Sequence, residues 1–547
     1  MIKKREITIM FKTIDLFAGA GGLSLGFKQT GKFELVAAAE INRNAQATYR
    51  ENIPADPENF KFIDNVIGYD FEALNEELGG IDIVIGGPPC QGFSNANRQK
   101  NHLINMNNAL VKEYFRAIKE ISPKAFVMEN VSMLESDTHR FYDSYNDHDE
   151  IEALRADNCN IPTRDDSLFI SKDSFSGFDM YNIATDTNTV ERIILPDDLY
   201  ALIRVLNKNK NNKKRLANFL SKNLNKLIVQ IDKYIKTIDA QDNLKFLIGE
   251  MLKIIKQTLP QAENIKNCFE LDSLVELQKN LISIREIHQN RLIGTFQRDT
   301  ENNVVFKTKS YAVIDYINAI LGNRYTQKGA TLNAEWFGVP QERKRHIVIG
   351  INNENNKNSE AKIVFPSQNL NNRHFTVEDA IMDLAEYPVS TEKICDDIPY
   401  NKNDKLSEYA KEMRKDSTTV KNHITTKTTD RAMERFKAIE QGKNFHSLDE
   451  KFKTTYSDPT RTQNTIYLRL NPKEPSGTVV NVRKSMWIHP TKDRAVTVRE
   501  AARLQSFPDS FKFIGTKDSQ YQQVGNAVPP KLAKGIAEKV LEYIKNK

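Results

Sequence analysis

Five short apolar runs constrain this chain of 547 residues more than any other feature: Thr13 to Phe17, Leu35 to Ala39, Phe62-Ile63, Ile83 to Ile85 and Ala125 to Met128. Each is too short for a buried helix and stops at a glycine turn or an acid, which reads as a strand covered on both faces. The spacing of Leu23 and Phe27 after the first run predicts a helix. Strands alternating with helices make an open α/β sheet, and such sheets bind ligands outside the carboxyl ends of their strands. The residues that follow each run are therefore where chemistry is expected.

After the first run comes Ala18-Gly19-Ala20-Gly21-Gly22, whose glycines permit a tight turn and close approach of backbone to a ligand. It is not G-x-G-x-x-G, and no G-x-x-x-x-G-K-[ST] cradle occurs, so a triphosphate is disfavoured. The second run ends in Glu40, where nucleotide-binding folds place an acid on ribose hydroxyls. Asp64 follows the third, either as an acceptor for an adenine amino group or as an ordinary turn aspartate. The fourth leads into Gly-Gly-Pro-Pro-Cys-Gln-Gly-Phe-Ser, residues 86 to 94, with Cys90 at the tip of a stiff turn. That setting suits an attacking thiolate, although a structural cysteine fits it as well. The fifth delivers Glu129-Asn130-Val131, and Gln341-Glu342-Arg343-Lys344-Arg345 stands just before a further strand, His346 to Gly350. Singly, these are solvated strand-end charges or a surface ion-pair network; together they put a nucleophile, an acid and two cations in settings of one kind.

In order along the chain, Asp15-Leu-Phe-Ala-Gly-Ala-Gly-Gly-Leu-Ser, Pro88-Pro-Cys-Gln-Gly-Phe-Ser, Glu129-Asn-Val, Gln341-x-Arg-x-Arg, Arg499-Glu-Ala-Ala-Arg-Leu-Gln-Ser-Phe-Pro and Gln523-Val-Gly-Asn-Ala-Val-Pro-Pro resemble the motifs of DNA (cytosine-5)-methyltransferases of the bacterial restriction-modification type. The resemblance covers residues 11 to 135, 308 to 350 and 465 to 545. It implies an α/β fold, a Rossmann-like S-adenosylmethionine-dependent methyltransferase sheet with helices on both faces, joined by a helical insertion and a smaller target-recognition domain. It implies S-adenosyl-L-methionine as cofactor and no metal. The cofactor residues it points to are Phe17, Ala18, Gly19, Gly21, Gly22 and Leu23 in the first turn, Glu40 and Ile41 after the second strand, and Asp64 and Asn65 after the third. Pro89, Asn526 and Ala527 complete that set. The helix expected over Lys531 to Ile544, led by Pro530, would bring the carboxyl end of the chain back beside the first strand.

The implied catalytic residues are Cys90, Glu129, Arg343 and Arg345. C5 of cytosine is a poor nucleophile; attack of a thiolate on C6 makes C5 enamine-like, and an acid at N3 stabilises the charge that builds up on the ring. The base must leave the duplex for this. DNA contacts are expected from Gln91, Ser94 and Gln341, and base reading from a stretch near Lys443 to Arg469 that includes Lys451, Lys453, Arg461 and Gln463. The loop from Gly92 to Asn107 is expected to close over DNA. The family's Asp-x-Arg-Asn-x-Leu reads here Asn105-Met-Asn-Asn-Ala-Leu110, which loses a charged pair without touching the nucleophile or the acid.

This organisation divides the chain into residues 1–134 (catalytic), 135–308 (a largely helical insertion), 309–350 (catalytic), 351–469 (target recognition) and 470–547 (end of the recognition region and catalytic). The first part of the insertion lacks apolar period and reads as loops. Between Leu216 and Ile238 a continuous apolar stripe predicts a long amphipathic helix, which either packs in a subdomain or, with Lys208 to Arg215, forms a further DNA-contacting arm. The stripe Leu110, Val111, Tyr114, Phe115, Ile118 and Ile121 predicts a core-facing helix. A net charge of +6 suits a polyanionic partner only if it is locally clustered. Four dispersed cysteines, at 90, 159, 268 and 395, argue against disulfides or structural zinc and for a reducing cytoplasm. No run approaches a membrane span. The resemblance implies a monomeric bacterial enzyme, expected to be cytoplasmic and nucleoid-associated through double-stranded DNA, and leaves open a separate cognate restriction endonuclease acting on the same site. An RNA-directed enzyme of the same chemistry, or a DNA-binding protein without catalysis, are the alternatives.

Overall fold

The structure, a computed structural model, describes residues 10–58, 60–89, 107–130, 140–156, 161–239, 241–355, 363–366, 374–391, 397–456 and 459–544. The chain divides into two compact units, one of Met1–Gln91, Ala109–Leu134 and Leu321–Lys547, the other of Gly92–Asn108 and Glu135–Ile320.

The first unit is built on a seven-stranded sheet: β1 (Phe11–Leu16), β2 (Phe33–Ala39), β3 (Lys61–Ile63), β4 (Ile83–Gly86), β5 (Ala125–Asn130), β6 (Tyr325–Asn333) and β7 (Lys344–Asn352). In space they run β6-β7-β5-β4-β1-β2-β3. β1 to β5 are parallel, while β7 is antiparallel to β5 and β6 to β7. The apolar runs lie in their expected strands except for Phe17, which stands in the turn after β1, and β4 is wholly buried. The order reverses between β1 and β4, which places the sheet's switch point, where α/β folds bind ligands, at the carboxyl ends of those two strands. Their approach is close: a Cβ on Gly86 would lie 2.3 Å from the Leu16 carbonyl oxygen.

The carboxyl end of the chain closes this unit. The helix Pro530–Ile544 begins on Pro530, whose missing N–H costs a helix nothing in its first turn. It packs on the helix Gly22–Lys28 so tightly that a Cβ on Gly26 would lie 2.4 Å from Ala533 Cβ. Leu532, Ala533, Ile536 and Val540 join Leu23, Phe27 and Ile85 in one core. The expected core-facing helix is Asn107–Ile121, with Val111, Tyr114, Phe115 and Ile118 fully buried. Beyond the sheet strands, Tyr409, Met413 and Ile424 belong to the sheet's core, whereas Phe436, Phe445, Tyr467 and Ile488 form a separate small cluster. Buried Arg469 ties that cluster together by donating to the carbonyls of Ile439 at 2.6 Å and His489 at 3.1 Å.

The second unit has a core of its own. The helices Asp197–Asn209, Lys213–Ile235, Asn243–Thr258 and Phe269–Gln289 bury one apolar cluster, to which the stripe from Leu216 to Ile238 contributes. The first part of the insertion is not loop, as its lack of period led us to expect. The strand Thr163–Lys172 pairs along its whole length with Asn303–Ala312, which Gly294–Arg298 and Arg140–Tyr142 also flank. Its order comes from that distant partner, so the local pattern is silent. The boundary expected at 308 therefore falls inside a strand, and the unit runs on to Ile320.

Candidate active site

The turn leaving β1 is conformationally demanding. Phe17 has φ 62°, Gly19 56° and Gly21 90°, a region glycine enters freely and phenylalanine reluctantly. Glu40, at the end of β2, fastens this turn: its Oε2 accepts the N–H of Gly19 at 3.0 Å and its Oε1 that of Asn42 at 2.7 Å. Each carboxylate oxygen has a second lone pair, so Glu40 can hold the turn and still accept a pair of hydroxyls. A Cβ on Gly19 would meet nothing within 4 Å, so the turn faces open space there. Gly22 is the opposite case, since its Cβ would lie 2.3 Å from the Val528 carbonyl oxygen and 3.2 Å from Ala527 Cβ. Ala527 and Val528 thus stand against the glycine turn, while Asn526 beside them is exposed and accepts from Gln522 at 2.7 Å. Ala18 and Leu23 are buried, and Ile41 is 77 % exposed next to Glu40, an apolar side chain free to cover a flat ring. The donor set fits S-adenosylmethionine: hydroxyl acceptors, a glycine turn with space above it and an uncovered apolar side chain at one strand-end edge.

Two neighbours are already engaged. Asp64 accepts from Arg43 at 2.8 and 3.0 Å and from Gln46 at 2.9 Å, and these bonds, with Gln46 first, hold its exposed carboxyl below the usual range. Asn65 is exposed and caps its own turn by accepting the N–H of Ile67 at 3.1 Å. Sequence pattern does not single out Asp15, although a lone acid inside an apolar strand was the available signal. It is buried in β1, accepts from Ser24 Oγ at 2.5 Å, and Ser24 Oγ lies 2.7 Å from the Tyr49 hydroxyl. Burial pushes the Asp15 carboxyl up to about 7, with Ser24 opposing the rise and Glu40 adding to it.

At the end of β5, Glu129 Oε1 lies 2.7 Å from Arg345 Nε, both side chains mostly covered. β5 and β7 pair Glu129 with Ile347, so the arginine that reaches it stands two residues earlier on the same face of β7. A Cβ on Gly87 would lie 3.1 Å from Glu129 Oε2, which sets the carboxylate beside the segment leaving β4. That segment continues into Pro88, buried, and Pro89, half-buried. Cys90, Gln91 and Ser94 lie outside the described residues.

Arg343 and Gln341 are placed otherwise than expected. Arg343 is fully buried and donates to the carbonyls of Val479 at 2.6 Å and Gly525 at 2.8 Å. Burial pushes its pKa well below the ordinary value, neighbouring Arg345 adds to this and Glu129 opposes it. Gln341, proposed from sequence as a DNA contact, is completely buried with its amide donating to Leu504 at 3.1 Å and accepting the N–H of Val479 at 2.7 Å. In this structure it has no surface to offer DNA. Lys453 pairs with Glu450 at 3.1 Å and Lys451 lies 3.9 Å from Asp449, while Arg461 and Gln463 are exposed.

The Arg499-to-Pro508 motif is a buried polar anchor. Thr497 and Glu500 form a reciprocal capping box on the helix Val498–Leu504. Arg503 grips Asp509 at 2.6 and 2.9 Å and also reaches Asp383. Buried Arg499 donates to the carbonyls of Lys421 and Pro508. Sequence order shows the motif but not these partners. Among the described residues no group of His, Cys, Asp and Glu is arranged to hold a metal, and no helix is long and apolar enough to cross a membrane.

A family model for C-5 cytosine-specific DNA methylases matches residues 11–152 and 301–542, the interruption falling within the insertion. The chain is 25 % identical over 97 % of its length, and 89 % of the relative's, to the Type II methyltransferase M.DdeI of Desulfomicrobium norvegicum. It is 26 % identical to the Type II methyltransferase M.AgeI of Thalassovita gelatinovora, over 97 % of this chain and 99 % of that one. Its fold matches that of a prophage-encoded E. coli protein described as a DNA modification methyltransferase, with a TM-score of 0.54 and 17 % identity over 98 % of this chain and 100 % of the other. With the sheet order, the strand-end acid and arginine, and the glycine turn in place, the match over most of the chain is decisive: the chain belongs to the C-5 cytosine-specific DNA methylases and is a DNA (cytosine-5)-methyltransferase.

Proposed function

We propose that this enzyme methylates C5 of a cytosine swung out of a specific duplex DNA sequence, with S-adenosylmethionine as donor, as the modification half of a restriction-modification system. The observation that carries the reading is the Glu129–Arg345 pair standing next to Gly87, directly ahead in sequence of Pro88-Pro89-Cys90, at the same sheet edge as the glycine turn. The Type II methyltransferase names of its relatives support the restriction-modification setting.

In this reading the Cys90 thiolate bonds to C6 of cytosine, and electron density moves through the ring towards N3, where Glu129 shares its proton. Arg345 holds the Glu129 carboxyl in place and offers its remaining N–H groups to the ring's carbonyl oxygen. When bound, the sulfonium supplies an electrophilic methyl group. With the methyl group on C5 and the donor left as a thioether, loss of the C5 proton to a base and expulsion of the Cys90 thiolate would restore the aromatic ring, and N3 would return its proton to Glu129. Extruding the base costs a few kcal/mol, which contacts to phosphates and flanking bases would offset. Arg343 acts behind Arg345 as a positioning residue.

Bisulfite sequencing of plasmid from a host expressing the chain tests the function, because it reports both the modified base and its neighbours. Conversion of every cytosine, with purified protein equally inactive on varied duplexes, would defeat it. A duplex carrying 5-fluorocytosine in the recognised site should form a stable covalent complex with the wild type and none with Cys90→Ser.

A further inference from the structure

A line of buried polar side chains joins the two halves of the site. Gln341, Arg343 and Arg345 alternate inwards along one extended segment while Glu342 and Lys344 face solvent. Gln341 donates at 3.0 Å to the side-chain oxygen of Gln505, and Gln505 donates at 2.6 Å to the carbonyl of Val524. Arg343 donates to the next carbonyl, that of Gly525. Val524 and Gly525 lie in the last turn of the helix Lys517–Asn526, just ahead of Ala527 and Val528, the residues against the glycine turn. At the other end of the segment, Arg345 holds Glu129. Gln341 and Gln505 are both completely buried, and the two amides meet one another and backbone only.

We propose that Gln505, which no motif argument assigns a role, is a positioning residue that fixes the donor-side wall at Ala527–Val528 relative to the base-edge pair Glu129–Arg345. The inference rests on the proposed reading of those two ends. The physical reason is that methyl transfer tolerates little misplacement between donor carbon and acceptor ring. A helix end held only by apolar contacts can slide, whereas here one carbonyl is held by Arg343 and the one before it by Gln505, itself held by Gln341 of the same segment, so the helix end cannot move independently of that segment. Gly525 has no room to adjust, since a Cβ there would lie 2.6 Å from the Val480 carbonyl carbon.

The test compares Gln505→Met, which keeps the volume and removes both bonds, with Gln505→Glu, which keeps an acceptor for Gln341 but cannot donate to Val524 when ionised. Binding of S-adenosylhomocysteine is titrated by calorimetry on protein shown to be folded at the working temperature, and kcat and the KM values for donor and DNA are measured in parallel. Both variants should bind S-adenosylhomocysteine about five- to tenfold more weakly, the scale of one lost hydrogen bond, with the DNA KM within about twofold of wild type. Lower thermal stability with unchanged donor affinity and kcat in the folded protein would overturn the proposal and leave Gln505 a plain core residue. If the wild type itself does not bind S-adenosylhomocysteine, it is the cofactor reading that fails.

Discussion

Arg345 Nε and Glu129 Oε1 stand 2.7 Å apart across two antiparallel strands, with neither side chain more than a fifth exposed. A carboxylate held this way is oriented before any substrate arrives. It needs no reorganisation to meet the edge of a ring, which is how preorganised groups lower a barrier. Glu129→Gln should lower kcat by at least about a hundredfold, the usual worth of a positioned acid, with duplex affinity changed little in a gel-shift assay. Arg345→Gln should act in the same direction and, because it frees Glu129, should add little further loss in the double variant. Single and double variants compared as a cycle measure that coupling.

Gly22 is predicted to tolerate no side chain. A Cβ there would overlap the Val528 carbonyl oxygen at 2.3 Å, and both atoms belong to packed backbone. Gly22→Ala should cost about 1–3 kcal/mol in urea unfolding and should abolish S-adenosylhomocysteine binding in whatever protein remains folded. Gly19→Ala meets no atom but must hold φ 56°, so its loss of stability should be smaller, about 1–2 kcal/mol.

Arg343 separates cavity from charge. Arg343→Met fills most of the volume and removes a cation whose charged form burial already disfavours, leaving two carbonyls without donors. Arg343→Ala leaves the same carbonyls and an empty space as well. The methionine variant should lose about 1–2 kcal/mol and the alanine variant about 3 kcal/mol or more, measured by equilibrium unfolding. Equal losses would mean that the hydrogen bonds, and not the packing, dominate.

Asp15 gives a pH signature. Its folded-state pKa is raised from 3.8 to about 7, so between those values the native state holds a proton that the unfolded chain has released. Stability from this group is therefore fully present below about pH 4, falls as pH rises towards 7 and stays at its reduced level above it. Asp15→Asn, which can still accept from Ser24, removes that decline. Its unfolding free energy should exceed that of the wild type more at pH 8 than at pH 4.5, by a few kcal/mol at most. A difference independent of pH would show that Asp15 is ionised in the native protein.

Much of the first unit was legible locally. Val84 and Phe126 lie in apolar runs whose neighbours already enforce a buried strand, and Pro530 marks its helix start by covalent geometry. The strand Thr163–Lys172 carried no such mark. Its sequence, Thr-Arg-Asp-Asp-Ser-Leu-Phe-Ile-Ser-Lys, becomes a strand because Asn303–Ala312 supplies its hydrogen bonds. Gln341 misled for a related reason: a glutamine in a motif reads as a surface contact until Leu504, Gln505 and Val479 are seen to satisfy it.

By itself the sequence determined the chemistry available: a cysteine in a proline turn, an acid after a strand, arginines at alternate positions and glycines where a backbone must pass close. Only the tertiary structure decided which arginine meets Glu129, which one is buried as a strut, and that Ala527–Val528 stands against Gly22. Apolar periodicity is written in adjacent residues, whereas the pairing of a buried polar group depends on whichever distant segment folding brings within about 3 Å of it, and no local pattern encodes that.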